Sequence, residues 1–180
     1  MVKLGSKLSL KKIKIGILGG SFDPAHKGHL SISKEAYKIL KLKEVIWAIT
    51  DKNPFKKKSG TDLLTRIKNC KKITSKTNYI KIKFFENIIN SNKTIDLINY
   101  FTKNKKNEIY FLMGADNLVH FHKWYKWKSI SYKSQIIVFD RHGYKKRSLN
   151  STTFKKLSKK RLKFIEFNKV NISSSQLRKI

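Results

Sequence analysis

The chain has a single cysteine, Cys70, in 180 residues. No internal disulfide can form, and a reducing, cytoplasmic setting is the natural expectation. No stretch approaches the ~20 consecutive apolar residues that span a bilayer, so no membrane partner is expected. Residues 1–12 hold lysines and a few leucines, without a long apolar centre or a small-residue cleavage site. They are expected to form a loosely ordered extension rather than a signal peptide. Acidic residues are scarce, 11 against 42 basic ones, and the formal net charge is +31. Arginine is scarce too: Arg66, Arg141, Arg147, Arg161 and Arg178 complete the set. A charge of this size points first to nucleic acid or another polyanion. Yet arginine is the residue that grips bases and phosphates at two points. Here the excess is lysine, spread through every segment beside many Asn and Ile. A bias towards A- and T-rich codons gives the same excess, so no specific nucleic-acid partner is expected.

The length suits one α/β domain over residues 13–180. Strands are predicted at 13–18, 43–50, 79–85, 108–113, 135–140 and 162–167. A helix over 30–40 puts Ile32, Ala36, Ile39 and Leu40 on one stripe. Thr61 is placed to cap a helix running through Leu63, Leu64, Ile67 and Cys70. Thr94 or Ser91 is placed to cap one carrying Ile95, Leu97, Ile98 and Phe101. A further helix runs through Leu118, Phe121, His122 and Tyr125. Residues 148–160 form a short helix or a loop, and 171–180 begin a last helix. Strands alternating with helices predict a Rossmann-like, doubly wound, largely parallel sheet.

One stretch carries chemistry. Residues 19–29 read GGSFDPAHKGH, between the first strand and the first helix. Such a turn is where doubly wound sheets hold phosphates: glycines let the backbone come close, and a helix start offers unpaired N–H groups. His26 and His29 add two imidazoles, and Gly28 between them removes a side chain that would crowd a ligand. Imidazole N–H groups donate well to phosphate oxygens. Two glycines or one histidine would be weak signals, but the whole string is specific. It resembles the signature of the HxGH nucleotidyltransferases.

Four further features resemble the nicotinate-nucleotide adenylyltransferase branch, and the likeness spans residues 13–178. The string GGSFDPxHxGH has His26 where phosphopantetheine adenylyltransferases usually carry Thr. Residues 113–127 read MGADNLVHFHKWYKW, with Trp124 eight residues beyond Asp116, as in that family. Residues 172–178 read ISSSQLR, close to the family's ISSTxIR. Residues 91–97 resemble its Tyr-Thr-x-Asp-Thr-Leu, with Lys93 for Tyr and Leu97 for Thr. The loop at 53–56 also departs, with Phe55 where many relatives have His. The string at 156–160 faintly resembles the lysine–serine loop of class I aminoacyl-tRNA synthetases, but the chain has no room for a tRNA-binding domain.

The resemblance implies adenylyl transfer from ATP to nicotinate mononucleotide, giving nicotinate adenine dinucleotide and pyrophosphate. It implies His26, His29 and Arg178 as catalytic groups on the triphosphate. It implies Gly20, Ser21, Phe22, Gly114, Asp116 and Ser174 at the ATP, with Asp116 on the ribose hydroxyls. Lys56, Thr94 and Trp124 fall to the acceptor. Mg²⁺ is expected on the ATP phosphates, with no protein-built metal site. A relative using nicotinamide mononucleotide, or a basic RNA-binding protein, is the alternative. Oligomeric state is left open.

Overall fold

β1 (Ile13–Gly20) runs through the middle of the sheet because it is apolar on both faces. The computed structural model describes residues 11–51 and 60–166. β1 is followed by α1 (Lys27–Leu40), β2 (Glu44–Ile49), α2 (Leu63–Ile73), β3 (Ile80–Phe84), α3 (Glu86–Ile89) and α4 (Thr94–Thr102). The second half holds β4 (Asn107–Gly114), α5 (Ala115–His120), a 3₁₀ turn (Phe121–Lys123), α6 (Trp127–Lys133) and β5 (Gln135–Phe139). α7 (Lys145–Leu149), α8 (Thr152–Lys156) and β6 (Leu162–Ile165) complete the described part. All six strands are parallel, in the order β3-β2-β1-β4-β5-β6. The order reverses direction between β1 and β4, which is where such sheets bind ligands, beyond the carboxyl ends of the strands.

Each face of the sheet is covered. Ile15 and Ile17 point to one core with Phe111, Ile95, Ile98, Leu118 and Phe121. Leu18 points to the other, with Trp47, Ala36, Leu40 and Cys70. Gly16 lets the chain after α1 pack against β1, since a Cβ there would lie 2.7 Å from Leu42 Cδ1. Cys70 is buried, and burial pushes its thiol up to about 12. It carries no thiolate at neutral pH.

Several local expectations change. α1 begins at Lys27, with His26 as its cap. It buries Ser33, Ala36 and Leu40, while Ile39 is exposed and Ile32 only half-buried. The cap of α2 is Asp62, not Thr61: its carboxylate accepts from the Thr65 N–H at 2.9 Å. Hydrogen bonding from the Thr65 side chain, and then from its N–H, holds the Asp62 carboxyl below its ordinary range. The helix predicted through Tyr125 ends at His120 and Phe121–Lys123 tightens to 3₁₀; Lys126, in the left-handed region at φ 50°, then starts α6. Residues 148–160 contain the end of α7 and all of α8, and α3 was not foreseen. The helix predicted over 171–180 lies outside the described residues.

α2 also rotates away from its apolar stripe. Leu64 is 78 % exposed and Arg66 only 1 % exposed. The Arg66 guanidinium donates to the carbonyls of Ser21, Thr50, Asp51 and Thr61, and to Asp51 Oδ1. Leaving Leu64 in water forgoes about 1.5–3 kcal/mol of burial. Turning Arg66 out would strip four carbonyls of a donor, at about 1–3 kcal/mol for each that stayed buried. The arginine therefore takes the inward place.

Candidate active site

The turn after β1 builds the first half of the site. Phe22 has φ 49°, a left-handed conformation uncommon for a non-glycine residue. It is held there by packing: its ring stacks on Trp47 at 4.8 Å and touches the His29 ring at 4.8 Å. Trp47 is buried at the centre of β2, and its Nε1–H donates to Ser33 Oγ at 2.7 Å. Ser33 in turn donates to the His29 carbonyl at 2.8 Å. Strand β2 thus fixes the first turn of α1.

The two histidines cap that helix reciprocally. His26 Nδ1 accepts from the Gly28 N–H at 3.1 Å, and His29 Nδ1 accepts from the His26 N–H at 3.2 Å. Ordinary capping boxes use Ser or Thr with Glu or Gln. Here imidazoles do it, and their ring centroids lie 3.9 Å apart. An accepting Nδ1 carries no proton, so each neutral ring holds its proton on Nε2. The cap therefore sets the tautomer and directs a donor away from the helix start.

The second half follows β4. Leu18 of β1 pairs with Leu112 of β4, so Gly20 and Gly114, two residues further on, close the two strands beside each other. Asp116 is in the first turn of α5, and its Oδ2 accepts from Arg141 Nη1 in an ion pair at 2.5 Å. Asp116 Oδ1 is buried and has no hydrogen-bond partner among the described residues. A Cβ at position 114 would lie 2.5 Å from that oxygen, so only glycine leaves the carboxylate its place. Arg141 lies just beyond β5 and rests over the Tyr144 ring at 6.0 Å. Sequence reasoning passed over Arg141, although its rarity in a lysine-rich chain was a usable signal.

Of the residues expected at the acceptor, Thr94 and Trp124 each adjoin a residue of one contact, between Lys93 and Tyr125. Lys93, not Thr94 or Ser91, holds the cap position of α4, with no side-chain cap. Thr94 is the first helical residue, and Ser91 Oγ accepts from the Lys93 N–H at 3.1 Å. Lys93 Nζ sits 4.6 Å from the centre of the Tyr125 ring. This brings the start of α4 to the residue beside Trp124. Trp124 is half-buried, edge-on to Phe121 at 5.3 Å and to Phe111 at 6.1 Å. Lys56, Ser174 and Arg178 lie outside the described residues. Among the described residues, no cluster of His, Cys, Asp or Glu could hold a metal ion, and no helix is long and apolar enough to cross a membrane.

Known proteins share both the sequence and the fold. A family model described as cytidylyltransferase-like matches residues 17–180. The "Probable nicotinate-nucleotide adenylyltransferase" of Pelagibacter ubique (strain HTCC1062) is 67 % identical over 180 residues, covering 100 % of both chains. The chain belongs to the nicotinate-nucleotide adenylyltransferase family. A member of the same name from Bradyrhizobium sp. (strain ORS 278) is 35 % identical over 151 residues, 83 % of this chain and 79 % of its own. The solved Plasmodium falciparum nicotinic acid mononucleotide adenylyltransferase, complexed with NaAD, has a TM-score of 0.77 at 23 % identity. That likeness covers 92 % of this chain and 82 % of the other, and it shows the shared nucleotidyltransferase fold.

Proposed function

We propose that this member of the family joins the adenylyl group of ATP to nicotinate mononucleotide. Membership supports the reaction, and one geometric observation supports the placement. The imidazole pair after β1 lies at the reversal of strand order, with the Gly114–Asp116 turn beside it. In the reaction, a phosphate oxygen of the mononucleotide attacks the α-phosphorus of ATP. The bond from that phosphorus to the bridging oxygen breaks, and pyrophosphate leaves with the electron pair. The attacking phosphate has a second pKa of ~6, so it is already largely dianionic at neutral pH. No side-chain base or covalent nucleophile is needed. The protein's task is to align three groups and absorb negative charge.

In this reading His26 and His29 donate from Nε2 to the triphosphate as charge moves to the leaving group. The backbone of Gly20, Ser21 and Phe22 approaches the nucleotide. Asp116 accepts from the ribose hydroxyls, oriented by Arg141. Mg²⁺ enters as part of the substrate, on the ATP phosphates. Lys56 is assigned to the acceptor, and Ser174 with Arg178 to the β- and γ-phosphates. Incubation with ATP, Mg²⁺ and nicotinate mononucleotide should yield the dinucleotide and pyrophosphate in equal amounts. Absence of the dinucleotide sinks the reading.

Two smaller expectations go with it. Arg178→Lys should raise KM for ATP although charge is kept, because lysine lacks the planar two-point contact. An unchanged ATP profile would remove Arg178 from the site. The lysine excess is solvated surface: none of the buried residues is a lysine among those described. RNA affinity, measured by filter binding, should collapse as salt rises and show little sequence preference. Tight, selective binding at physiological salt would refute this.

A further inference from the structure

The Phe22 peptide is held in one orientation by Arg66. Arg66 Nη1 donates to the Ser21 carbonyl at 2.8 Å and to the Thr50 carbonyl at 2.8 Å. Nε reaches the Thr61 carbonyl at 3.1 Å, and Nη2 the Asp51 carbonyl at 3.3 Å and its Oδ1 at 3.4 Å. That uses all five donors of the fork. The guanidinium thereby ties the turn after β1 to the end of β2 and to the start of α2. A trans peptide is planar, with its C=O and N–H on opposite sides. With the Ser21 carbonyl turned in towards Arg66, the N–H of the same peptide, that of Phe22, points away from it. Among the described residues no group accepts from that N–H. The left-handed φ of Phe22 adds a conformation that costs energy and persists only where surroundings enforce it.

We propose that Arg66 is a positioning residue: it aims the Phe22 N–H at a phosphate of the bound nucleotide without touching the nucleotide itself. This rests on the adenylyl-transfer reading above and adds a residue outside the motifs that carried it. Lysine at position 66 keeps the charge but has a single ammonium, which cannot span four carbonyls on three segments. Its carbonyl at Ser21 would be freed to rotate, and the donor with it.

The test begins with the parent protein, which must make the dinucleotide; if it does not, the functional reading fails and not this one. Arg66→Lys should then lower kcat/KM for ATP by ~10²-fold, the usual cost of one lost donor to developing charge. KM for nicotinate mononucleotide should move far less. Cys70→Ala, one turn further along α2, is the control for a destabilised helix, with a lower Tm and parent-like kcat. Replacing Phe22 by its α-hydroxy acid converts the N–H to an ester oxygen and probes the donor directly. That ester should cost a similar factor, and in the Arg66→Lys background it should add little, because the two changes remove one interaction. A parent-like kcat/KM in the ester, or in a folded Arg66→Lys, overturns the proposal. So does an Arg66→Lys protein that fails to fold while the ester variant is parent-like. Full additivity of the two losses overturns it as well.

Discussion

Replacing either histidine of the first turn should lower turnover by ~10²–10³, the usual loss when a donor to developing charge is removed. The capping arrangement makes the choice of substitution matter. His26→Ala and His29→Ala each remove an accepting Nδ1 from the start of α1. Loss of a cap alone costs about 0.5–2 kcal/mol. Alanine variants should therefore lose both rate and Tm, which mixes two effects. Asparagine separates them. Its Oδ1 can stand where Nδ1 stands, and Asn is a favoured capping residue. It has nothing where Nε2 was. His26→Asn and His29→Asn should keep a Tm near that of the parent while turnover falls as far as in the alanine variants. Retained turnover in both asparagine variants would mean that the imidazoles serve the helix and not the phosphates. Steady-state rates per folded molecule, with Tm by calorimetry, decide between the two.

Nicotinate mononucleotide should be strongly preferred over nicotinamide mononucleotide. The acceptors differ only in a carboxylate against a carboxamide. Without a side-chain cap, the first amides of α4, at Thr94 and Ile95, have no acceptor within the helix. They and the helix dipole favour an anion. A carboxamide NH₂ would set donor against donor, and sites that leave buried polar groups unpaired with the wrong ligand discriminate strongly. Lys93 places a charge at the same end of the helix, over the Tyr125 ring. Thr94→Pro is the cleanest probe. Proline is well tolerated at the first helical position. The preceding Lys93, at φ −85° and ψ 129°, already has the conformation that a following proline demands. Ile95→Pro would be a poorer choice, since Ile95 is buried in the core. Thr94→Pro should erode the preference, read as the ratio of the two kcat/KM values. Trp124→Ala should weaken both acceptors and leave the ratio alone, because a ring stack does not distinguish the two groups. Equal kcat/KM for both acceptors in the parent would show that the helix start does not face the carboxylate.

The parts of this molecule that were legible in its sequence are those where pattern and chemistry coincide. β1 and its glycine turn could be read because an apolar run, two glycines and two imidazoles fall together at 13–29. The buried strands β4 and β5 could be read from continuous apolar runs. Other parts depended on contacts and backbone turns that the pattern of residue types does not show. Nothing local distinguishes Asp62 from Thr61 as a cap; the carboxylate that reaches the Thr65 N–H decides it. The period through Leu118, Phe121 and Tyr125 continues past His120, but the backbone tightens there and turns left-handed at Lys126. Arg66 falls off the stripe of Leu63, Leu64, Ile67 and Cys70, and nothing near it in sequence marks it as buried. It is buried because carbonyls at the ends of two other segments need a donor. In the site itself, the His26–His29 box was hidden because capping motifs are read from Ser, Thr and Glu. The motif nevertheless marked the right turn.

Three of the four described arginines are held by contacts that a lysine would make poorly. Arg66 serves four carbonyls, Arg141 grips Asp116 while lying over Tyr144, and Arg161 reaches the Tyr132 carbonyl while covering its ring. Each does something a point charge on a flexible stem does poorly. In a chain whose composition drifts towards lysine, such positions behave as fixed points. Exchange of one lysine for another polar residue should leave most of this protein untouched, whereas an arginine-to-lysine change, nominally the mildest of substitutions, should be among its least tolerated. A saturation scan scored for growth would then show its tolerance map inverted at these sites: glutamine or serine accepted at many lysines, and lysine itself rejected at Arg66 and Arg141.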